Sequence, residues 1–325
     1  MALAGRSLLV TGGAGFIGSH LVERLAREGP RRLVVVDNLF LGREENLAPA
    51  RASYPGLAFY AADAAAPRAL ERIMVAEQTE IVFSLATVPL PASLVRPRYA
   101  ASVNFRLAVA AVELCRKNAF QTLVHCSSSE VYGSAAYAPI DEDHPLLPRT
   151  PYAASKAAAD LLIRSYWESF AIDAVIVRPF NNYGPRQNSA SYAGIIPLTL
   201  KRLFRGQRAV IQGDGEQTRD FTWVGDTVEG IVSAAANASA RKQVLNLASG
   251  QEVTIRRLVT LLGHLAGVSR PPRFVGPRPG DVRRHLADVS RARSLLGFRP
   301  ETALDAGLER TVAWYRAQLR PGAAS

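Results

Sequence analysis

The sequence predicts an α/β fold, a doubly wound parallel sheet followed by a smaller C-terminal substrate-binding lobe. Three observations lead there. Short β-branched runs alternate with helix-period patterns as far as Val177. Three glycines, Gly12, Gly15 and Gly18, stand between the first strand and the first helix. Beyond Arg178 the texture changes to loops rich in Gly, Pro and Asn between separated helices. These place a first domain at residues 1–178 and a second lobe at 179–325, with some elements returning to the first sheet.

Leu8-Leu9-Val10 reads as the first strand, and a helix over about residues 15–28 carries Ile17, Leu21, Val22 and Leu25 on one face. Residues 33–36, Leu-Val-Val-Val, form a fully apolar strand, as a sheet covered on both faces requires. Further strands fall at 57–60, 81–85 and 122–125, the last two separated by a helix over 97–116 that opens on proline. A long helix over 151–170 leads to a strand at 174–177. In the second lobe, helices are expected near 196–205, 226–236, 255–266, 290–296 and 303–318, with loops at Asn181-Asn182-Tyr183-Gly184-Pro185, Gly213-Asp214-Gly215 and residues 276–280.

The chain is long enough to bury a large core in one large or two unequal domains. No apolar run is long enough to span a bilayer, and the N-terminus lacks the charged, apolar and cleavage regions of a signal peptide, so a cytoplasmic protein is expected. Two cysteines, Cys115 and Cys126, exclude a disulfide framework and read as small buried residues. The five histidines show no metal-ligand spacing, so no metal is expected. The net charge is +11, but the chain has only four lysines among its 39 cations, and the arginines are scattered. Nucleic-acid binding needs a concentrated basic stripe on a recognisable motif, so it is not expected. A few arginines gripping an anionic substrate suit the forked guanidinium.

The glycine triplet reads as a phosphate cradle of the Rossmann kind. Glycine permits a tight turn and close backbone approach, and the helix N-terminus offers free N–H groups and a partial positive charge. Asp37 ends the second strand nineteen residues after Gly18, where a carboxylate can accept both ribose hydroxyls and repel a 2′-phosphate. This favours NAD over NADP, against the nearby Arg43. Asp63 reads equally as an adenine contact or a loop cap. The full set expected around the dinucleotide is Gly12, Gly15, Phe16, Ile17, Gly18, Asp37, Asn38, Asp63, Leu85 and Ala86, together with Tyr152 and Lys156.

Tyr152 and Lys156 are four apart on one helix face, about 5–6 Å apart at Cβ. A tyrosine is a poor base at neutral pH, and bringing its pKa to about 7 takes about 4 kcal/mol of preferential phenolate stabilisation. A neighbouring ammonium and a cationic nicotinamide ring can supply it. Ser128, in the run Ser127-Ser128-Ser129-Glu130-Val131-Tyr132-Gly133, can bond and orient the same substrate hydroxyl. Redox chemistry on a bound alcohol is the leading reading.

With these motifs on the page, the chain resembles the extended short-chain dehydrogenase/reductase family acting on nucleotide sugars: 4-epimerases, 4,6-dehydratases and decarboxylases. The likeness also covers Arg178-Pro-Phe-Asn181-Asn-Tyr-Gly-Pro185, Gly213-Asp-Gly-Glu-Gln-Thr-Arg219-Asp-Phe221 and Arg278-Pro-Gly-Asp-Val-Arg283. It implies oxidation of the sugar at C4 by the Tyr152, Lys156 and Ser128 set, with Asn181, Arg219 and Arg283 holding the diphosphate. It also implies a homodimer formed through the helices at 97–116 and 151–170, where the alanines flanking Ser155 permit close approach.

Oxidation at C4 acidifies the proton on C5, and a carboxylate facing C5 can remove it and drive loss of the C6 hydroxyl. Glu130 stands where dehydratases and decarboxylases of this resemblance carry glutamate and typical 4-epimerases carry a non-acidic residue; its plain reading is a solvent-facing or salt-bridged glutamate. Ser129 stands where thymidine-nucleotide dehydratases carry an acidic aspartate, and dehydratases of the GDP-mannose type share Ser-Glu. Ser129 is therefore expected to assist protonation of the leaving group. Decarboxylases of this resemblance often lack an aspartate after the diphosphate-binding arginine, whereas Arg219-Asp220-Phe221 follows the epimerase and dehydratase pattern, and Asp220 would be a poor neighbour if it faced a substrate carboxylate. Thr87 is expected near the sugar, beside an unusually apolar Val88-Pro89-Leu90. The expectation is an NAD-dependent nucleotide-sugar 4,6-dehydratase, with a UDP-hexose 4-epimerase as alternative, then a UDP-glucuronate decarboxylase, then a non-enzymatic NAD-sensing scaffold.

Overall fold

The computed structural model describes residues 3–189, 193–268, 270–277 and 282–318. Its first half runs β1 (Ser7–Thr11), α1 (Phe16–Ala26), β2 (Arg32–Asp37), α2 (Ala48–Ser53), β3 (Ala58–Ala61), α3 (Pro67–Ala76), β4 (Ile81–Ser84), α4 (Leu90–Val95), α5 (Pro97–Arg116), β5 (Thr122–Cys126), α6 (Pro151–Phe170) and β6 (Asp173–Pro179). The second runs β7 (Asn181–Tyr183), α7 (Ile195–Leu203), β8 (Val210–Gln212), β9 (Thr218–Arg219), β10 (Phe221–Trp223), α8 (Val224–Ala236), β11 (Val244–Leu247), β12 (Val253–Thr254), α9 (Ile255–Ala266), β13 (Arg273–Val275), α10 (Ser290–Leu296) and α11 (Leu304–Gln318).

Seven strands form one sheet in the order β11-β6-β5-β4-β1-β2-β3, every pair parallel. The strand order reverses between β1 and β4, and a crevice opens there at the carboxyl ends of the strands. Both faces are covered. Leu21, Val22 and Leu25 of α1 and Val228, Ile231 and Val232 of α8 lie in one core with Val10, Phe83 and Val124. Ala111, Val112 and Cys115 of α5 and Ile163 and Trp167 of α6 lie in the other with Leu9, Val82 and Leu123. The apolar strands follow from this two-sided burial.

The region after Arg178 divides by packing. β11, α8 and α10 belong to the large sheet's first core, through Leu245, Val228 and Ala292. α7, α9 and α11 build a separate core around Leu200, Leu258, Leu262, Leu308 and Val312. α9 has Thr254 as its N-cap, accepting from Arg257 N–H, and Gly267 at φ +75° as its C-cap. α3, not foreseen in the sequence, buries only Leu70 and Met74 and leaves Val75 exposed, so its apolar stripe is too thin to read. The alanines of α6 do permit a close approach, and the helix they approach within this chain is α5. Among the described residues no helix is long and apolar enough to cross a membrane, and no cluster of His, Cys, Asp and Glu could hold a metal ion.

Candidate active site

A cleft of about 470 Å³ lies over the strand-order reversal. One end is the cradle. Gly12 sits at φ +71°, its N–H donating to Val36 O (2.9 Å), and Gly15 N–H donates back to Gly12 O (3.1 Å). A Cβ on Gly12 would lie 2.7 Å from Ala86 N, and one on Gly18 would overlap the Gly12 carbonyl oxygen. Only glycine permits this approach of turn, helix and β4 loop. Gly15 is the N-cap of α1 and supplies no side-chain cap, so the helix start offers its main-chain N–H groups to an anion. Phe16, Ile17, Asp37, Asn38, Asp63, Leu85 and Ala86 line the same end of the cleft.

Asp37 is buried and accepts from Ala14 N–H (3.0 Å) and Leu39 N–H (2.8 Å), one bond to each oxygen. Burial pushes its carboxyl above the usual range, against those two bonds. Each oxygen keeps lone-pair capacity for a ribose hydroxyl. Asp63 Oδ1 accepts from Ala65 N–H (2.9 Å), the loop-capping arrangement, while the residue still lines the cleft. The Arg43 side chain is exposed, and its backbone N–H is bonded to Ala14 O (3.0 Å). The cradle and the acidic strand end fit a dinucleotide with a free 2′-hydroxyl.

At the other end, α6 brings Tyr152 and Lys156 to the cleft, its start fixed by Thr150 as N-cap and Pro151 in the first turn. Lys156 is 3% exposed, and its Nζ donates to Cys126 O (2.6 Å) at the end of β5. Burial pulls its pKa down, and its charge helps hold His125 neutral. The turn after β5 is a 3-10 helix, Ser129–Tyr132, capped by Ser128, whose Oγ accepts from Glu130 N–H (3.2 Å). The Ser128 hydroxyl also bonds the Tyr152 phenol and favours phenolate, yet burial outweighs it and the phenol is held above its ordinary value. The nearby charge of Glu130 pushes the same way. Burial of the phenol is the largest of these effects.

Ser128, Glu130, Tyr152, Lys156, Thr87 and Asn181 all line this one cleft. Three of the residues expected at the site, Ser129, Arg219 and Arg283, are not among those lining the cleft. Ser129 is buried and does not line the cleft, its carbonyl facing the ring of His285. Arg219 is buried beside β12, its Nη1 donating to Thr218 O (2.7 Å) and Val282 O (2.6 Å), and its charge acts on the ring of His285, which meets Asn181 at the cleft. The Arg283 side chain is 65% exposed, its Nη1 alone lying on both carboxylate oxygens of Asp214 (2.8 and 2.9 Å), an ion pair at the surface. The rest of that motif, residues 278–281, lies outside the described residues. Asp220 is buried and accepts from Ser249 N–H and Oγ and Gly250 N–H, so it braces a loop and does not face a substrate.

Three structural groups behind the cleft were missed in the sequence. Asn104 of α5 is bonded to Val88 on both its N–H and C=O, and to Ser155. His285, 1% exposed, has its ring nitrogens 3.3 Å from Ser129 O and from Asn181 Nδ2 and stacks on Phe180. Arg178 is buried against Asp160 (2.8 Å) and the Tyr132 hydroxyl (2.9 Å), which in turn bonds Asn246 Oδ1 (2.7 Å). A polar residue at a buried helix position and an arginine in an apolar strand were the available signals. Arg186, lining the cleft from the second lobe, bonds Glu23 and His20 of α1 and Asn46 O (3.1 Å).

Comparison with known proteins agrees with this geometry. The model of the NAD dependent epimerase/dehydratase family matches residues 8–248. A UDP-glucose 4-epimerase of Mycolicibacterium smegmatis is 36% identical over 95% of this chain and 98% of its own. A dTDP-glucose 4,6-dehydratase of Actinoplanes sp. is also 36% identical, over 95% and 98%. The crystal structure of a dTDP-glucose 4,6-dehydratase from Streptomyces venezuelae with NAD bound superposes with a TM-score of 0.89 at 32% identity, covering 95% of this chain and 96% of that one. The chain belongs to the NAD dependent epimerase/dehydratase family, with NAD as its cofactor and the nucleotide-sugar enzymes of the extended short-chain dehydrogenase/reductase group as its relatives.

Proposed function

We propose that the protein is an NAD-dependent nucleotide-sugar 4,6-dehydratase. The observation carrying this reading is that Glu130 lines the same cleft as Ser128 and Tyr152, on a turn that Ser128 itself caps. Gly12, Gly15, Gly18 and the α1 N-terminus would hold the cofactor's pyrophosphate, and Asp37 its ribose. Bound NAD supplies a hydride acceptor and a cationic ring. The ring's charge opposes the burial that keeps Tyr152 protonated. Tyr152 then takes the C4 hydroxyl proton while Ser128 orients that hydroxyl. With C4 a ketone, Glu130 removes the C5 proton. Because Ser129 lies away from the cleft, Glu130 in its newly protonated form is the acid we assign to the departing C6 hydroxyl. Asn181 keeps one amide N–H for a phosphate oxygen, the other being directed at His285.

A 4-epimerase is the second reading, favoured by the UDP-glucose 4-epimerase relative. It uses the same oxidation and leaves Glu130 without a proton to move. A decarboxylase ranks third on the Arg219-Asp220-Phe221 pattern; the buried bonds of Asp220 remove only the added point that it would be a poor neighbour for a substrate carboxylate. The test is incubation of the NAD-loaded protein with UDP-, dTDP- and GDP-hexoses in deuterated water, read by mass. Loss of water with one deuterium at C5 is expected, since the hydride taken from C4 would be returned to C6 and a solvent deuteron would enter C5, leaving NAD oxidised as it began. Unchanged mass with inverted C4 supports the epimerase, and loss of carbon dioxide the decarboxylase. Glu130→Gln should cut dehydration by about 10²–10⁴-fold while C4 oxidation persists; normal dehydration by that variant refutes its role.

A further inference from the structure

The loop from β4 into α4 forms one wall of the cleft, through Thr87, Val88, Pro89, Leu90 and Pro91. Its hydrogen-bonding capacity toward the cleft is fixed by Asn104. The orientation of the Asn104 amide is unambiguous: Oδ1 accepts from Val88 N–H (2.7 Å), which can only donate, and Nδ2 donates to Val88 O (3.0 Å), which can only accept. Thr87 Oγ1 lies 3.2 Å from the same Oδ1, so the threonine proton is directed at Asn104. Toward the cleft Thr87 presents lone pairs only. The Asn104 Nδ2 also donates to Ser155 Oγ (3.0 Å), and Ser155 Oγ donates to Tyr152 O (2.7 Å), so the wall and the start of the catalytic helix are held as one piece.

Beyond Thr87 the side chains of the wall offer only carbon, and the one main-chain donor left on it is the N–H of Leu90 at the start of α4. Pro89 and Pro91 carry no N–H, the N–H of Val88 is committed to Asn104, and the side chains of residues 88–91 have no polar atom. Val88 packs with Ala92 and Ala100, which fixes the apolar surface in place. A sugar hydroxyl buried against this surface would lose its water and find no side-chain donor.

We propose, resting on the nucleotide-sugar reading above, that this wall selects a nucleotide sugar bearing an apolar group, a methylene or a methyl, at the ring position it faces, beside one hydroxyl that donates to Thr87. Binding is the readout, because it is independent of turnover. The NAD-loaded full chain is titrated calorimetrically with UDP- and dTDP-hexoses and with their 2-deoxy, 3-deoxy, 6-deoxy and 2-acetamido analogues. One analogue is expected to bind about 10–100-fold more tightly than its hydroxylated parent, the range by which an apolar pocket discriminates an added hydroxyl. Leu90→Gln, which places a donor and acceptor on the half-buried wall, is expected to erase that preference and leave the other analogues unchanged. Thr87→Val is expected to weaken parent and analogue alike. Tighter binding of the parent than of every analogue overturns the proposal and leaves the dehydratase reading standing. Failure of every nucleotide sugar to bind overturns both.

Discussion

The pair Arg178–Asp160 gives the sharpest stability prediction. The two side chains are 1% and 0% exposed and 2.8 Å apart, and Arg178 also donates to the Tyr132 hydroxyl and stacks over its ring at 4.8 Å. Asp160→Asn keeps the shape and removes the charge, stranding a guanidinium among apolar strands. Breaking a buried pair in this way costs about 3–5 kcal/mol. At roughly 2.1 cal/mol/K of unfolding entropy per residue, 325 residues translate each kcal/mol into about 1.5 °C. A fall in melting temperature of about 5–7 °C is therefore expected by calorimetry or circular dichroism. Replacing both partners by apolar residues, Asp160→Leu with Arg178→Met, should recover most of the loss, because no charge is then stranded. A single variant that melts within a degree of the parent would refute the reasoning, showing that water reaches the pair.

Two further predictions concern the cleft. Gly18→Ala drives a methyl into the Gly12 carbonyl, so NAD binding should weaken at least tenfold by fluorescence titration with the melting temperature of the ligand-free protein less affected; equal affinity would mean the cradle does not grip the cofactor. Tyr152 is held above its ordinary pKa by burial, so the ligand-free protein should show no Tyr152 phenolate absorbance below about pH 10, judged against Tyr152→Phe, and NAD should lower the onset. A phenol whose pKa rises on folding contributes stability below about pH 10 that is withdrawn above it, because the unfolded chain loses its proton first. Phenolate near neutral pH without NAD would contradict this.

What the sequence makes legible is what repeats locally. The strands β2 and β6 announce themselves because burial on both faces demands unbroken apolar runs, and α5, α6 and α9 because they carry long apolar stripes. The glycine cradle and the Tyr152–Lys156 pair are legible because one backbone turn or one helix face sets their geometry. Arg219 and Arg283 read alike as diphosphate-gripping arginines beside glycine-rich loops, and no local pattern states that one is bonded to carbonyls and the other to Asp214. Ser129 differs from Ser128 by one position on a tight turn, enough to send one into the protein and leave the other at the cleft. Asn104 and His285 act through partners 16 and 156 residues away, separations at which pattern carries no information.

Those distant partners bear on how the chemistry is held. The turn carrying Glu130 is fixed from four directions: Ser128 bonds Tyr152 on α6, the Ser129 carbonyl meets His285 from the second lobe, and Tyr132 is held by Arg178 of β6 and by Asn246 of β11. None of these partners needs to change its charge near neutral pH. Burial pulls His285 down to about 3, so it remains a neutral ring, and Arg178 remains a cation. The position of the carboxylate at residue 130 is thus set by a scaffold drawn from both lobes. Under the proposed dehydratase mechanism, two enzymes of this family differing only at that residue would share the oxidation step and diverge afterwards, because that mechanism assigns ketone formation to groups on α6 and the fate of the ketone to the turn bonded to them.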